Sequence, residues 1–280
     1  MRYTNNLGLP EAIVEAVKND KYSKGDSHIS ITGLIAPPRI RVLKKLHEKE
    51  LEEDVSDRIW SLLGQVTHGI LERANKQALS EERFYIEIDG VKVSGQLDAY
   101  YNSGLVQDYK LVSLYQVKDG VKKEYEQQLN SYAALLRHNN LVVNKLELVC
   151  ILRDWSKTKA RQDETILQQQ VVKLDVPLWS PEEALEFLTE RVKIHKAANY
   201  KLPLCSDEDR WATPDKYAVM PKKGAPRSLK NYDLKEEAEA HAKRVPGAFV
   251  ELRPGENKRC QDYCPVSKYC TQYQKLKEKK

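Results

Sequence analysis

The sequence predicts an α/β core with a small cysteine-tied lobe at its carboxyl end. Three observations predict it. Segments with apolar residues at three- and four-residue steps alternate along the chain with segments of period two. The strand-like segments of the core fall between residues 84 and 176, and four of the five cysteines lie past residue 200. At 280 residues the chain is long enough for one large domain or for a core plus an appendage. Its 46 Lys+Arg against 41 Asp+Glu leave a net charge of +5, which names no partner and merely permits nucleic acid. No apolar run approaches the roughly 20 residues needed to span a bilayer. The first residues also lack the apolar stretch of a secretory signal, so neither a membrane nor secretion is expected, and the five cysteines are assigned to a reducing cytoplasm.

In order along the chain, Pro10 opens a short amphipathic helix over residues 10–20. The stretch His28 to Ile35 leads into Ala36-Pro37-Pro38-Arg39, and a charged helix follows to about Lys49. A longer helix is expected from Glu52 to Leu79, because Val55, Ile59, Leu62, Leu63, Val66, Ile70, Leu71 and Ala74 recur at helical steps. The period then changes: Phe84–Gly90 and Val91–Asp98 alternate, joined at Asp89-Gly90, a hairpin signal. Leu105–Lys110 reads as a third strand after the turn Asn102-Ser103-Gly104. A helix over 122–138, a buried strand over 145–153 and an alternating segment over 166–176 follow. Ser180-Pro181-Glu182-Glu183 then reads as a capped helix start. Between the cysteines, the insert from Ser206 to Arg259 reads as strand (217–220), basic turn, helix (234–244) and strand (249–253).

Chemistry concentrates at Asp98 and at Asp108-Tyr109-Lys110. On a strand, Asp108 and Lys110 share one face. Asp98 ends the neighbouring strand, so two carboxylates and an ammonium can converge at one sheet edge. Paired carboxylates suit Mg²⁺ or Mn²⁺, and a lysine beside them can orient a water or offset phosphoryl charge. Taken alone, the same residues also read as salt-bridging groups at strand ends. Aspartate and lysine are, however, depleted from strands, and a local inconsistency of that kind points to function. His68 and Glu72 share a helical face upstream, as do Gln128 and Tyr132 downstream. His68 is either a neutral imidazole ligand or an ordinary polar residue at a core boundary. Gln128 and Tyr132 either touch substrate or bond nearby backbone.

The ordered series His68, Asp98, Asp108-Tyr109-Lys110 and Gln128-x-x-x-Tyr132 resembles the PD-(D/E)XK nuclease superfamily. More narrowly, it resembles RecB/AddB-like and CRISPR-adaptation-type exonucleases with a four-cysteine iron–sulfur cluster, and related phage exonucleases. The resemblance covers about residues 28–155. It implies a mixed central sheet flanked by helices, and phosphodiester hydrolysis by a metal-activated water. It further implies that His68, Asp98, Asp108 and the Tyr109 carbonyl bind Mg²⁺ or Mn²⁺, that Lys110 is the catalytic lysine, and that Gln128 and Tyr132 support the site. Many relatives carry Glu where this chain has Asp108, and Asp is within the pattern.

Cys260, Cys264 and Cys270 form a tight group, and Cys205 makes four. Four thiolates suit a [4Fe–4S] cluster or structural zinc. Pro265 after Cys264 and the gap to Cys270 resemble the terminal triad of the iron–sulfur nucleases, and on those family grounds the cluster is expected, with zinc as the alternative. The relatives' first cysteine lies before the histidine helix, where this chain has Ala36–Arg39, so Cys205 is expected to replace it. Cys150, inside an apolar strand, is expected to behave as a small hydrophobe.

The expected organisation is an amino-terminal helical extension (1–27), a nuclease core (28–200) and a four-cysteine lobe (201–280) holding the α/β insert (206–259). Arg39, Lys222, Lys223 and Arg227 are candidate nucleic-acid contacts, or else solvated surface charges. The function expected is a metal-dependent DNA exonuclease acting on single strands or duplex ends in recombination or DNA processing. It would reside in the cytoplasm, the host's if the chain is phage-encoded. A structure-dependent endonuclease and a nuclease-inactive DNA-binding iron–sulfur protein are the alternatives.

Overall fold

The computed structural model describes residues 2–20 and 24–278. The chain divides into two units, Met1–Pro38 with Glu52–Lys201 and Arg39–Leu51 with Leu202–Lys280. The segment 39–51 groups with the carboxyl-terminal residues, and residues 2–20 group with the first unit.

In the first unit β1 (Arg2–Thr4) is followed by α1 (Glu11–Lys18), β2 (Ile29–Ser30) and the single-turn helix α2 (Ile31–Ile35). Helix α3 (Pro38–Leu46) leads into the second unit, and the chain returns at β3 (Glu52–Asp54), parallel to β1. This is where the expected long helix fails. Asp54 accepts bonds from the Ser56 amide at 3.0 Å and from the Asn6 amide and Thr4 hydroxyl at 2.8 Å, which makes 52–54 an edge strand and Asp54 a cap. A 3₁₀ turn follows, and the helix proper, α4, runs Ile59–Ala74. Beyond it β4 (Ala78–Leu79) pairs with a later strand.

The hairpin forms as expected from β5 (Arg83–Ile88) and β6 (Val91–Gln96), with φ of 49° at Asp89 and 73° at Gly90, the backbone of a two-residue primed turn. With β2 these strands make a three-stranded sheet. Leu97 and Asp98 then leave it, and β7 (Ala99–Tyr101) pairs antiparallel with β8 (Leu105–Val112). Helix α5 (Lys123–His138) crosses over to β9 (Lys145–Leu152), parallel to β8, as such a pairing requires. After α6 (Lys157–Gln162), β10 (Val171–Val176) completes a mixed sheet ordered β10-β9-β8-β7-β4. Its β9 is apolar at nearly every position because both faces are covered, and Cys150 there is fully buried.

Helix α7 (Pro181–Ala197) starts at a capping box made by Ser180 and Glu183. Its Arg191 donates to the carbonyls of Leu34 (2.8 Å), Ile35 (3.0 Å) and Ala36 (2.8 Å), satisfying the open end of α2. The core of this unit lies where α5 covers the strands, with Leu129, Leu135, Leu136, Val93, Leu97, Val106 and Leu148 all fully buried.

In the second unit α8 (Asp207–Arg210) precedes β11 (Lys216–Met220), β12 (Lys230–Tyr232), α9 (Lys235–Ala242) and β13 (Phe249–Arg253), and α10 (Thr271–Glu278) closes the described chain. The insert therefore has the expected strand–turn–helix–strand order plus one short strand, β12, making a sheet ordered β12-β11-β13. A separate small core joins Leu43 and Leu51 to Cys260, Val266, Cys270 and Tyr273.

Gly95 sets how closely α5 lies on β6: a β-carbon there would sit 2.7 Å from Leu135 Cδ1 and 2.8 Å from the Tyr132 ring. Both neighbours are buried and cannot retreat. Gly95→Ala is expected to cost about 1–3 kcal/mol by overpacking, read as a lowered midpoint in urea unfolding. An unchanged midpoint would show that the helix floats free of the strand at this point.

Candidate active site

Strand β8 presents Asp108 and Lys110 on one face, toward α5. Asp108 is 1% exposed, its Oδ2 lies 2.5 Å from Lys110 Nζ, and its Oδ1 accepts from Gln128 Nε2 at 3.3 Å. Gln128 also donates to the Tyr132 hydroxyl at 2.8 Å, so the helical pair predicted from spacing serves to hold a carboxylate. Burial pushes the Asp108 carboxyl up to about 6, against the pull of Lys110. Burial pulls Lys110 down, but Asp108 and Asp98 together carry its ammonium above the ordinary value, so it stays charged. Among the described residues, Asp108 Oδ2 has no hydrogen-bond partner apart from the lysine.

Asp98 sits where the chain passes from one sheet to the other, one residue before the Ala99–Gln107 pair. Its Oδ2 accepts the Tyr109 amide at 2.6 Å, taking the place of a ladder partner, and its Oδ1 lies 3.3 Å from His68 Nδ1. Helix α4 brings His68 to this point. Glu81 approaches from the other side, 3.5 Å from His68 Nδ1 and bonded through its second oxygen to Gln96 Nε2 at 2.8 Å. Hydrogen bonds to Asp98 and then to Glu81 push the His68 imidazole up to about 10.

His68, Glu81 and Asp98 offer one nitrogen and two carboxylate oxygens, all within 4.8 Å of one another. Such a set fits Mg²⁺ or Mn²⁺. The crowding of negative groups that holds a proton on His68 is the charge a divalent ion would take up once that proton leaves. Of the expected ligands the structure thus brings His68 and Asp98 into one group. Asp108 adjoins it through Lys110, and Tyr109 reaches it through its amide.

Glu81 escaped the sequence reading. It precedes a strand beside Glu82 in a plain acidic pair, and no spacing separates the two. Its backbone is left-handed, φ 54°, a geometry uncommon for glutamate. Around these groups runs an open groove of about 840 Å³, lined among others by Ser30, Gln65, Arg83 and Gln128.

Arg39 is corrected. Expected as a nucleic-acid contact, it is 4% exposed, and its guanidinium donates to Cys270 Sγ at 3.1 Å, to the Pro203 carbonyl at 3.1 Å and to the Thr271 hydroxyl at 2.9 Å. It is a structural residue of the second unit. Lys222, Lys223 and Arg227 are exposed in the turn between β11 and β12. Cys205, Cys260, Cys264 and Cys270 line one cavity together with Arg39, Arg210 and Arg259. Gln272 locks Cys205 in place through a pair of 2.8 Å bonds to its amide and carbonyl. Burial raises the thiols of Cys260 and Cys264, and pushes Cys205 up to about 12.

The PD-(D/E)XK nuclease superfamily matches residues 36–271, and the chain belongs to that superfamily. No curated protein matches it. Among solved structures, the chain is similar to the protein SSO0001, with 19% identity, a TM-score of 0.44, and coverage of 65% of this chain and 83% of that one. It is also similar to a protein of Eubacterium rectale named provisionally as an exonuclease, with 13% identity, a TM-score of 0.31, and coverage of 50% and 60%. Among the described residues no helix is long and apolar enough to cross a membrane.

Glu81→Gln is expected to weaken Mn²⁺ binding about tenfold or more in calorimetric titration, with the fold retained. Unchanged affinity would remove Glu81 from the donor set.

Proposed function

We propose that the chain is a Mg²⁺- or Mn²⁺-dependent DNA exonuclease of the RecB/AddB-like kind, acting on single strands or duplex ends in recombination or DNA processing. The observation that carries this reading is the meeting, on one groove, of the His68–Glu81–Asp98 donor set with the buried Asp108–Lys110 pair. His68, Asp98, Asp108 and the Tyr109 carbonyl, with Glu81 added, would hold the ion. When bound, the ion supplies a water of lowered pKa and positive charge at the phosphoryl oxygens.

The chain's own residues do the rest. Lys110 keeps its ammonium at neutral pH because Asp108 and Asp98 stabilise the charge, so it presents a compact cation where negative charge grows on the phosphoryl group. Gln128 and Tyr132 fix the Asp108 carboxylate from above. Asp98 is fixed from the side by the Tyr109 amide. Exposed Lys222, Lys223 and Arg227 would add sequence-independent attraction for phosphates.

For Lys110→Ala, Mn²⁺-dependent degradation of end-labelled linear single-stranded DNA is expected to fall at least about 10²-fold. Circular single strands should survive the wild-type enzyme. Cutting of circles would make it an endonuclease, and no cutting of any DNA by folded, metal-loaded wild type would leave a binding protein.

For the four cysteines we propose a [4Fe–4S] cluster. All four cysteines line one cavity, and Arg39, Arg210 and Arg259 beside them would offset the negative charge of a cluster. Protein purified without oxygen is expected to be brown and to hold about four iron and four sulfide per chain. Cys264→Ala should lose both, along with thermal stability. A colourless protein with one zinc per chain would overturn the assignment.

A further inference from the structure

Helix α4 delivers His68 to the site yet has no buried residue. In its first turn Trp60 is 54% exposed, and the Arg153 guanidinium lies over the indole, 3.8 Å from the ring centroid. Arg153 follows β9 and is itself exposed. Four residues further on begins α6, whose Lys157, Lys159 and Arg161 are all exposed. Trp60 precedes His68 by eight residues, roughly 12 Å along the helix axis. On the same helix Gly64 lines the groove, with nothing within 4 Å of where its β-carbon would stand, so no side chain obstructs that stretch of floor.

We propose that Trp60, backed by Arg153, is a stacking platform for one unpaired base of a nucleic-acid strand whose cut phosphate lies at Lys110. The inference rests on the nuclease reading above and deepens it: of the substrate forms named there it selects the single strand, gripped beyond the scissile bond. An open aromatic face flanked by cations is how single strands are held without regard to sequence, with bases on the ring and phosphates on the basic groups. A strand stretched to about twice the duplex rise of ~3.4 Å would cover the 12 Å in roughly two nucleotides. Inside a duplex both faces of every base are covered by stacked neighbours, so away from an end only an unpaired strand offers the ring a base face. With 54% of its surface exposed beside Arg153, Trp60 keeps ring area for a base, and Lys157, Lys159 and Arg161 of α6 provide charge for the phosphates that follow.

The test uses the full chain with its cysteine-bound metal in place. Binding of a fluorescein-labelled oligothymidylate is measured by anisotropy without added divalent ions, for wild type, Trp60→Ala, Trp60→Phe and Arg153→Ala. A parallel oligonucleotide series carries one abasic position, moved stepwise from the end. Trp60→Ala is expected to bind the intact strand about tenfold more weakly, with Trp60→Phe close to wild type. In the abasic series wild type should lose affinity at one position, and Trp60→Ala should show no such dip. Affinity unchanged in Trp60→Ala, or reduced equally at every abasic position, would overturn the platform. Hydrolysis of the p-nitrophenyl ester of thymidine monophosphate with Mn²⁺, a substrate too short to reach Trp60, is expected to be the same in wild type and Trp60→Ala. If wild type cuts neither this ester nor long DNA, the nuclease reading falls, while the binding data decide the platform separately.

Discussion

The buried carboxylate of Asp108 is the constraint around which the first unit is arranged. A carboxylate removed from water loses several kcal/mol of hydration, and an apolar residue at this inward position of β8 would pack with less cost. The surrounding structure offsets that loss with the Lys110 ammonium on one oxygen and the Gln128 amide on the other. The second support demands that α5 lie close over the sheet, because Gln128 stands on that helix. That closeness in turn demands a residue without a side chain at Gly95, where Tyr132 and Leu135 press on β6. A chain that keeps so expensive a group in its core, with every neighbour fitted to it, is organised for chemistry before stability.

The second constraint is topological. The site forms where two sheets part: β6 belongs to one, β7 and β8 to the other, and Asp98 occupies the step between them. Freed from a ladder, its carboxylate takes the Tyr109 amide and turns its other oxygen to His68. Glu81, in a left-handed turn before β5, closes the group from the third side. Strand ends and turns can aim polar groups in this way because their backbone is not committed to pairing on both sides.

In the second unit the same economy of polar groups appears around sulfur. Arg39 donates its guanidinium N–H to Cys270 Sγ. Position 39 therefore contributes a positive charge to the thiol cavity. Cys205, held by Gln272, brings the fourth sulfur.

The period-two segments, the Asp89-Gly90 turn, the α5 helix and the Ser180 cap were legible in the sequence because each depends on residues within a few positions of one another. The series His68, Asp98, Asp108, Lys110, Gln128 and Tyr132 was legible for a related reason, since its members stand at ends and faces of elements that can be read one at a time. What depended on distant partners was not legible. The helix expected over 52–79 was shortened because Thr4 and Asn6 captured Asp54 and Tyr101 captured Ala78. Glu81 could not be told from Glu82, and Arg39 read as a surface charge, because burial and aim are set by what packs against a residue. By itself the sequence determined which chemical groups the protein carries and in what local frames. Tertiary structure decided which of them meet, because a carboxylate becomes a ligand, a clamp or a solvated charge according to neighbours that arrive from elsewhere in the chain.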